Sequence, residues 1–219
     1  MFLIMGLIIL VGWGFDPLIV TLINVIITSL IILFFLNGYN KKTISSFISV
    51  IIILLIFIGI TYTFGNFIYI QGYSEETIES IGYVTYNTGL NMLKLTDSII
   101  IIGLIGNIID TSIAISSALY EVHDNNPKLN IKELFNSGMN IGKDILGTTT
   151  NTLFFAFIGG TMSMLVYFID YKYTILSLIN SKVFALYFTK IVLSGIASFL
   201  IIPLTSIISS FIYKYDKDK

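Results

Sequence analysis

Six long apolar runs alternate with polar connections along the chain, at about residues 1–14, 17–36, 44–68, 98–119, 147–169 and 188–213. Within each run the apolar residues are nearly continuous. They show neither the strict alternation of a barrel strand nor the one-sided spacing of a helix in water. A helix of twenty residues spans about 30 Å, the thickness of a bilayer's hydrocarbon core. The pattern predicts an all-α fold, a polytopic transmembrane bundle of about six helices that forms a single domain over 1–219. The first run has no basic residues before it and no small-residue cleavage site after it. It therefore predicts a membrane helix, not a secretory leader. That run is short for a crossing; should it not span, five helices cross and the N-terminus lies outside.

The connections differ in kind. Gly12 to Pro17 is long enough only for a tight hairpin, with Pro17 suited to the first turn of the next helix. Asn37 to Lys42 reads as a polar turn with Gly38 at a helix end. Segment 70–97 carries Glu75 to Ser80, which predicts a short interfacial helix followed by a loop. In segment 121–146 a turn at Asn126-Pro127 precedes Ile131, Leu134, Phe135, Met139 and Ile141 at helical spacing. This predicts an amphipathic helix over 128–141 on the inner membrane face, with Lys128, Lys132 and Glu133 towards water.

Composition sharpens the class. Only 11% of the residues are charged and 55% are hydrophobic, with a mean hydropathy of +0.90; soluble domains carry about 25% charged residues. Cysteine is absent, which removes disulfides, thiolate catalysis and thiolate metal sites. The net charge of −1 and the lack of a basic patch give no footprint for nucleic acid. Lysine distribution sets an orientation. Lys41, Lys42, Lys128, Lys132, Lys143, Lys214, Lys217 and Lys219 fall on one side of the predicted bundle. Lys94, Lys172, Lys182 and Lys190 fall on the other, beside Glu75, Glu76, Glu79 and Asp97. Both termini are expected in the cytoplasm.

Asp110 is the candidate of greatest interest. It stands mid-way along the fourth run, where a carboxylate costs roughly 2.5–3.5 kcal/mol on insertion scales. Steps of three and four link Gly103, Gly106, Asp110, Ala114, Ser117 and Glu121 on one face. Small residues on such a face allow close helix packing, but packing does not account for Asp110. At the start of the fifth run Asn140, Asp144, Thr148, Asn151 and Thr152 recur at similar spacing. The expectation is a proton or ion path formed by Asp110, Ser117, Thr148, Asn151 and Thr152, with Asn140, Asp144 and Glu121 as secondary members. Helices four to six are expected to pack with Asp110 facing inward. Polar packing between helices is the alternative for the hydroxyls, and a solvated end charge for Glu121. His123, the only histidine, reads as loop surface. No Walker loop, H-E-x-x-H or G-x-S-x-G motif is present, so no enzyme, cofactor or metal site is expected.

The runs IDTSIAISSALYEV and NPKLNIKELFNSGMNIGKDILGTTTNTLFFAFIGG, with IPLTS near the end, resemble the YibE/F family of bacterial membrane proteins over about residues 10–213. The resemblance implies a multi-pass protein of the bacterial cell membrane. Longer members resemble this chain plus an N-terminal helix and an outer domain. The chain thus looks like the half of a split pair, which implies a second, YibE-like subunit or a homo-oligomer in the bilayer. Asp110-Thr111, Glu121, the Thr148–Thr152 run and Gly159-Gly160 also resemble SecF, over about 60 residues. That implies a unit similar to one half of an RND-type, proton-driven transmembrane domain. The chain departs from the pattern in having no room for an outer domain after the first helix and no basic residue in the middle of its helices. The function expected is a proton- or ion-coupled transport or permease subunit, with a non-transporting membrane scaffold as the alternative.

Overall fold

The computed structural model describes residues 2–68 and 91–215. The expected interfacial helix at Glu75–Ser80 lies outside the described residues. Within them the chain is helical, with no strand. The helices are α1 (Phe2–Gly12), α2 (Pro17–Leu30, continued as a π-helical turn over Ile31–Leu36), α3 (Lys41–Ile68), α4 (Met92–Asn125), α5 (Ile131–Asp170), α6 (Ile175–Ile179) and α7 (Lys182–Tyr215). Among the described residues four stretches are long and apolar enough to cross a membrane: Pro17–Leu36, Lys41–Thr61, Leu93–Asn125 and Phe184–Tyr215. At 11 residues, α1 is about 16 Å long, half the hydrocarbon core.

Local chemistry fixes where the helices begin. The Asp16 carboxylate accepts from the Leu18 and Ile19 backbone N–H groups, 3.1 and 3.5 Å away, and Pro17 opens α2. Asn91 caps α4 through the N–H of Leu93 and Lys94. Asn130 and Glu133 close a capping box at the start of α5. Each such cap satisfies backbone donors that a helix leaves open. Between α2 and α3 the turn is made possible by Gly38 at φ +76°, a conformation glycine adopts without steric cost.

The centre of the bundle is α3, α4 and α7. Phe57, Ile101, Leu104, Ile108, Ala197 and Ile201 are fully or almost fully buried between them. Towards the Lys42 end, hydroxyls replace the aliphatics. The Ser45 hydroxyl lies 2.5 Å from that of Ser116 and 3.1 Å from that of Ser209. The buried Tyr213 hydroxyl donates to the Ser116 carbonyl at 2.9 Å, and Thr205 donates to Ser112 at 3.2 Å. Small hydroxyl residues let the three backbones approach and bond across, which is how helices associate where lipid removes the hydrophobic difference. These pairs also set direction: α4 and α7 run parallel, and α3 runs antiparallel to both.

One element differs from the sequence expectation. A surface helix over 128–141 and a separate crossing over 147–169 were expected. The structure has a single helix of 40 residues, Ile131–Asp170. Its first part packs into the bundle: Leu134 is fully buried. A Cβ on Gly138 would come within 2.8 Å of Leu119 Cδ1, and one on Gly142 would overlap Ile202. The apolar positions read as membrane-seeking are seated on α4 and α7 instead. No proline interrupts 141–147, so the helix runs on.

Candidate functional site

The first part of α5 is clamped between α4 and α7, and its second part leans on α7, with the Phe157 ring 6.1 Å from Tyr187. A cleft of about 240 Å³ opens between α4, α5 and α7. Its walls are Gly103 of α4, Leu153, Ala156, Phe157 and Gly160 of α5, and Tyr187, Lys190, Ile191 and Ser194 of α7. Gly103 leaves room for the aliphatic stem of Lys190, whose Cε sits 3.3 Å from where a Cβ would stand. The Lys190 ammonium lies 5.6 Å from the centre of the Tyr187 ring. The Ser194 hydroxyl oxygen is buried without a hydrogen-bond partner. Asn107 donates to Ser198 a turn further along, tying α4 to α7 below the cleft.

Lys190 was placed on the outer side, at the start of a run expected over 188–213. α7 starts at Lys182, not near 188, so Lys190 is well inside the helix. It stands six residues, about 9 Å, within the apolar span Phe184–Tyr215, and it is partly buried. The boundary was misplaced because Ser181 caps the helix through the Phe184 N–H at a point where hydropathy is still low.

Asp110 does not face inward. α4, α5 and α7 do form one packed unit, but Asp110 is exposed on its outside and has no hydrogen-bond or ionic partner among the described residues. It lies seven residues from Gly103, nearly two turns, so it continues the same face about 10.5 Å nearer the Lys42 end. Gly103, Gly106, Ala114 and Glu121 are exposed on that face too, and Ser117 is half-exposed. Glu121 reaches Lys42 at 4.0 Å. On α5, Asn140, Asp144, Thr148, Asn151 and Thr152 are all exposed. Thr148 and Thr152 donate to carbonyls of their own helix, those of Ile145 and Thr148. The α5 residues that meet the cleft are Leu153, Ala156, Phe157 and Gly160. By helical phase Thr148, Asn151 and Thr152 stand on other faces, and the structure does not gather them around Asp110.

Two groups escaped the sequence reading. Asp97 is the carboxylate on the buried face of α4, only 6% exposed. Steps of three and four from it give Ile101, Leu104, Ile108, Ser112, Ile115 and Leu119, and that spacing was the available signal. His123 is not loop surface: it is buried, with its ring 6.3 Å from Tyr213. Asp16, just ahead of the span Pro17–Leu36, makes an ion pair with Lys94. The hydrogen bond from Lys94 holds the Asp16 carboxyl below the usual carboxylate range, against a weaker opposing effect of burial. This pair ties the start of α2 to the start of α4. Among the described residues no group of three His, Asp or Glu side chains is placed to hold a metal ion.

An all-helical bundle with four apolar spans and hydroxyl-mediated packing is an integral membrane protein. Its sequence matches the profile described as YibE/F-like protein over residues 1–215. The chain belongs to that family. No curated protein and no solved structure matches it.

Proposed function

We propose that the chain is a non-enzymatic, membrane-embedded subunit of a proton- or ion-coupled transport system in the bacterial cell membrane. Its path is formed where the exposed α4 face meets a second membrane subunit. One observation carries this reading: Asp110 sits deep in the Leu93–Asn125 span, exposed and without a partner among the described residues. A carboxylate facing lipid there costs roughly 2.5–3.5 kcal/mol, and a polar protein surface covering it removes that cost. The neighbouring small residues let such a surface approach closely. Asp110 is then the titrating group, with Ser117 beside it and Thr148, Asn151 and Thr152 available to the same partner. The lysine distribution supports cytoplasmic termini.

A non-transporting scaffold is the second reading. It is favoured by the separation of Thr148, Asn151 and Thr152 from Asp110 within the chain. Proton flux into proteoliposomes containing the chain with its co-purified membrane partner separates the two. Transport predicts flux that Asp110→Asn abolishes while the assembly stays intact. Equal flux in the Asn variant, or none in the wild type, leaves the scaffold.

A further inference from the structure

The cleft between α4, α5 and α7 has a chemistry that the transport reading does not use. Lys190 brings a cation into an apolar span and makes no ion pair with a carboxylate among the described residues. Among the described residues its charge-related contact is the Tyr187 ring, a cation–π pairing that does not neutralise it. Ser194 stands four residues on, on the same face of α7. It is 94% buried, since only 6% of its surface is exposed, and its hydroxyl has no partner. A buried polar atom without a partner costs about 1–3 kcal/mol. Both unmet groups line one cavity. The opposite wall, Leu153, Ala156 and Phe157, is apolar.

We propose that this cleft binds an amphipathic anion, a single acidic head on an apolar body. The Lys190 ammonium and Ser194 hydroxyl hold the head, and Leu153, Ala156 and Phe157 cover the body. The volume of about 240 Å³ is just below the roughly 300–1,000 Å³ of pockets for drug-sized ligands. It suits a small organic carboxylate or one section of an anionic lipid. Both sources share the same recognition: a charge-assisted hydrogen bond from lysine, a neutral one from serine, and desolvation of the chain. The site stands apart from the transport reading, because occupancy is read whether or not the chain conducts ions.

The test is photolabelling of the chain in phosphatidylcholine nanodiscs with a diazirine-bearing decanoic acid, followed by peptide mapping. Label is expected within 153–160 or 187–194, displaced by decanoate and not by decanol. Lys190→Gln removes a charge-assisted hydrogen bond of about 1.5–3 kcal/mol, so labelling falls about tenfold or more. Lys190→Arg retains it. Gly160 has open space where a Cβ would stand, so Gly160→Leu fills the cleft, leaves Lys190 in place and removes the label. Equal displacement by decanol overturns the proposal. So does undiminished labelling in a monodisperse Lys190→Gln variant or, should that variant not fold, in Gly160→Leu. Phosphatidylglycerol added to the nanodisc assigns the source. Displacement by it supports the anion site and identifies a lipid head as the ligand; persistence of the label supports the site with a free carboxylate.

Discussion

At Gly142 the close approach of α5 to α7 depends on a missing Cβ, which would overlap Ile202 Cγ2. Overpacking of this kind costs about 1–3 kcal/mol. Gly142→Ala is expected to lower the thermal unfolding midpoint in detergent. Gly147→Ala, where nothing lies within 4 Å, is expected to leave it unchanged or raise it by up to about 1 kcal/mol of helix propensity. A Gly142→Ala midpoint equal to the wild type's would mean that α5 and α7 separate more readily than this packing implies. The two carboxylates of α4 make a related point. Thirteen residues separate Asp97 from Asp110, and at about 100° per residue they stand nearly opposite one another. Either face was a plausible core: one is small and polar, the other rich in isoleucine. Burial of Ile101, Leu104 and Ile108 turns Asp97 inward and Asp110 out.

Between elements, the Asp16–Lys94 pair is a local tie whose strength depends on pH. The carboxyl of Asp16 titrates below its ordinary value of 3.8 because of Lys94. A depressed carboxyl stabilises the fold above its unfolded pKa, and that contribution is lost as pH falls through the lower folded value. Lys94→Gln is therefore expected to lower the unfolding midpoint slightly at neutral pH. The gap from the wild type closes as pH drops below about 3.8, where both carboxyls take up a proton. A gap that widens in acid would assign the stabilisation to something other than this pair. Asp16 is only partly buried and Lys94 is more exposed, so solvent screens the pair and the effect is small at any pH. The longest element, α5, was split in the sequence reading because Lys143, Asp144 and the threonine run look like an interface crossing. Nothing local ends a helix there, and packing on α4 and α7 carries it through.

For the molecule as a whole, Asp110 is an unmet charge that lies on a surface, not in the core. The α4 face that bears Asp110 is expected to contact protein in the native membrane. Ala114→Cys, at an exposed position on that face, is expected to give a cross-linked species of higher mass in native membranes when its thiol is alkylated with a maleimide-benzophenone and irradiated. Leu55→Cys, exposed on α3, serves as the lipid-facing control. A monomeric band in both would leave Asp110 facing lipid and remove the basis for a path at the subunit seam.

The sequence by itself determined the class, the family and where several helices begin, because continuous apolar runs and capping residues act locally. Asn91, Asn130-x-x-Glu133 and Asp16-Pro17 each begin a helix with partners no more than three residues away. It also showed which groups are chemically costly in a membrane, above all Asp110. Only the tertiary structure decided which side of each helix became the core. That choice depends on how Ser45, Ser116, Ser209 and Tyr213 from three separate helices meet, and on where glycines let α5 press against α7. The same packing put Lys190, expected at the outer end of its run, in the wall of a cleft, beside a serine that helical spacing alone had not set apart from its neighbours.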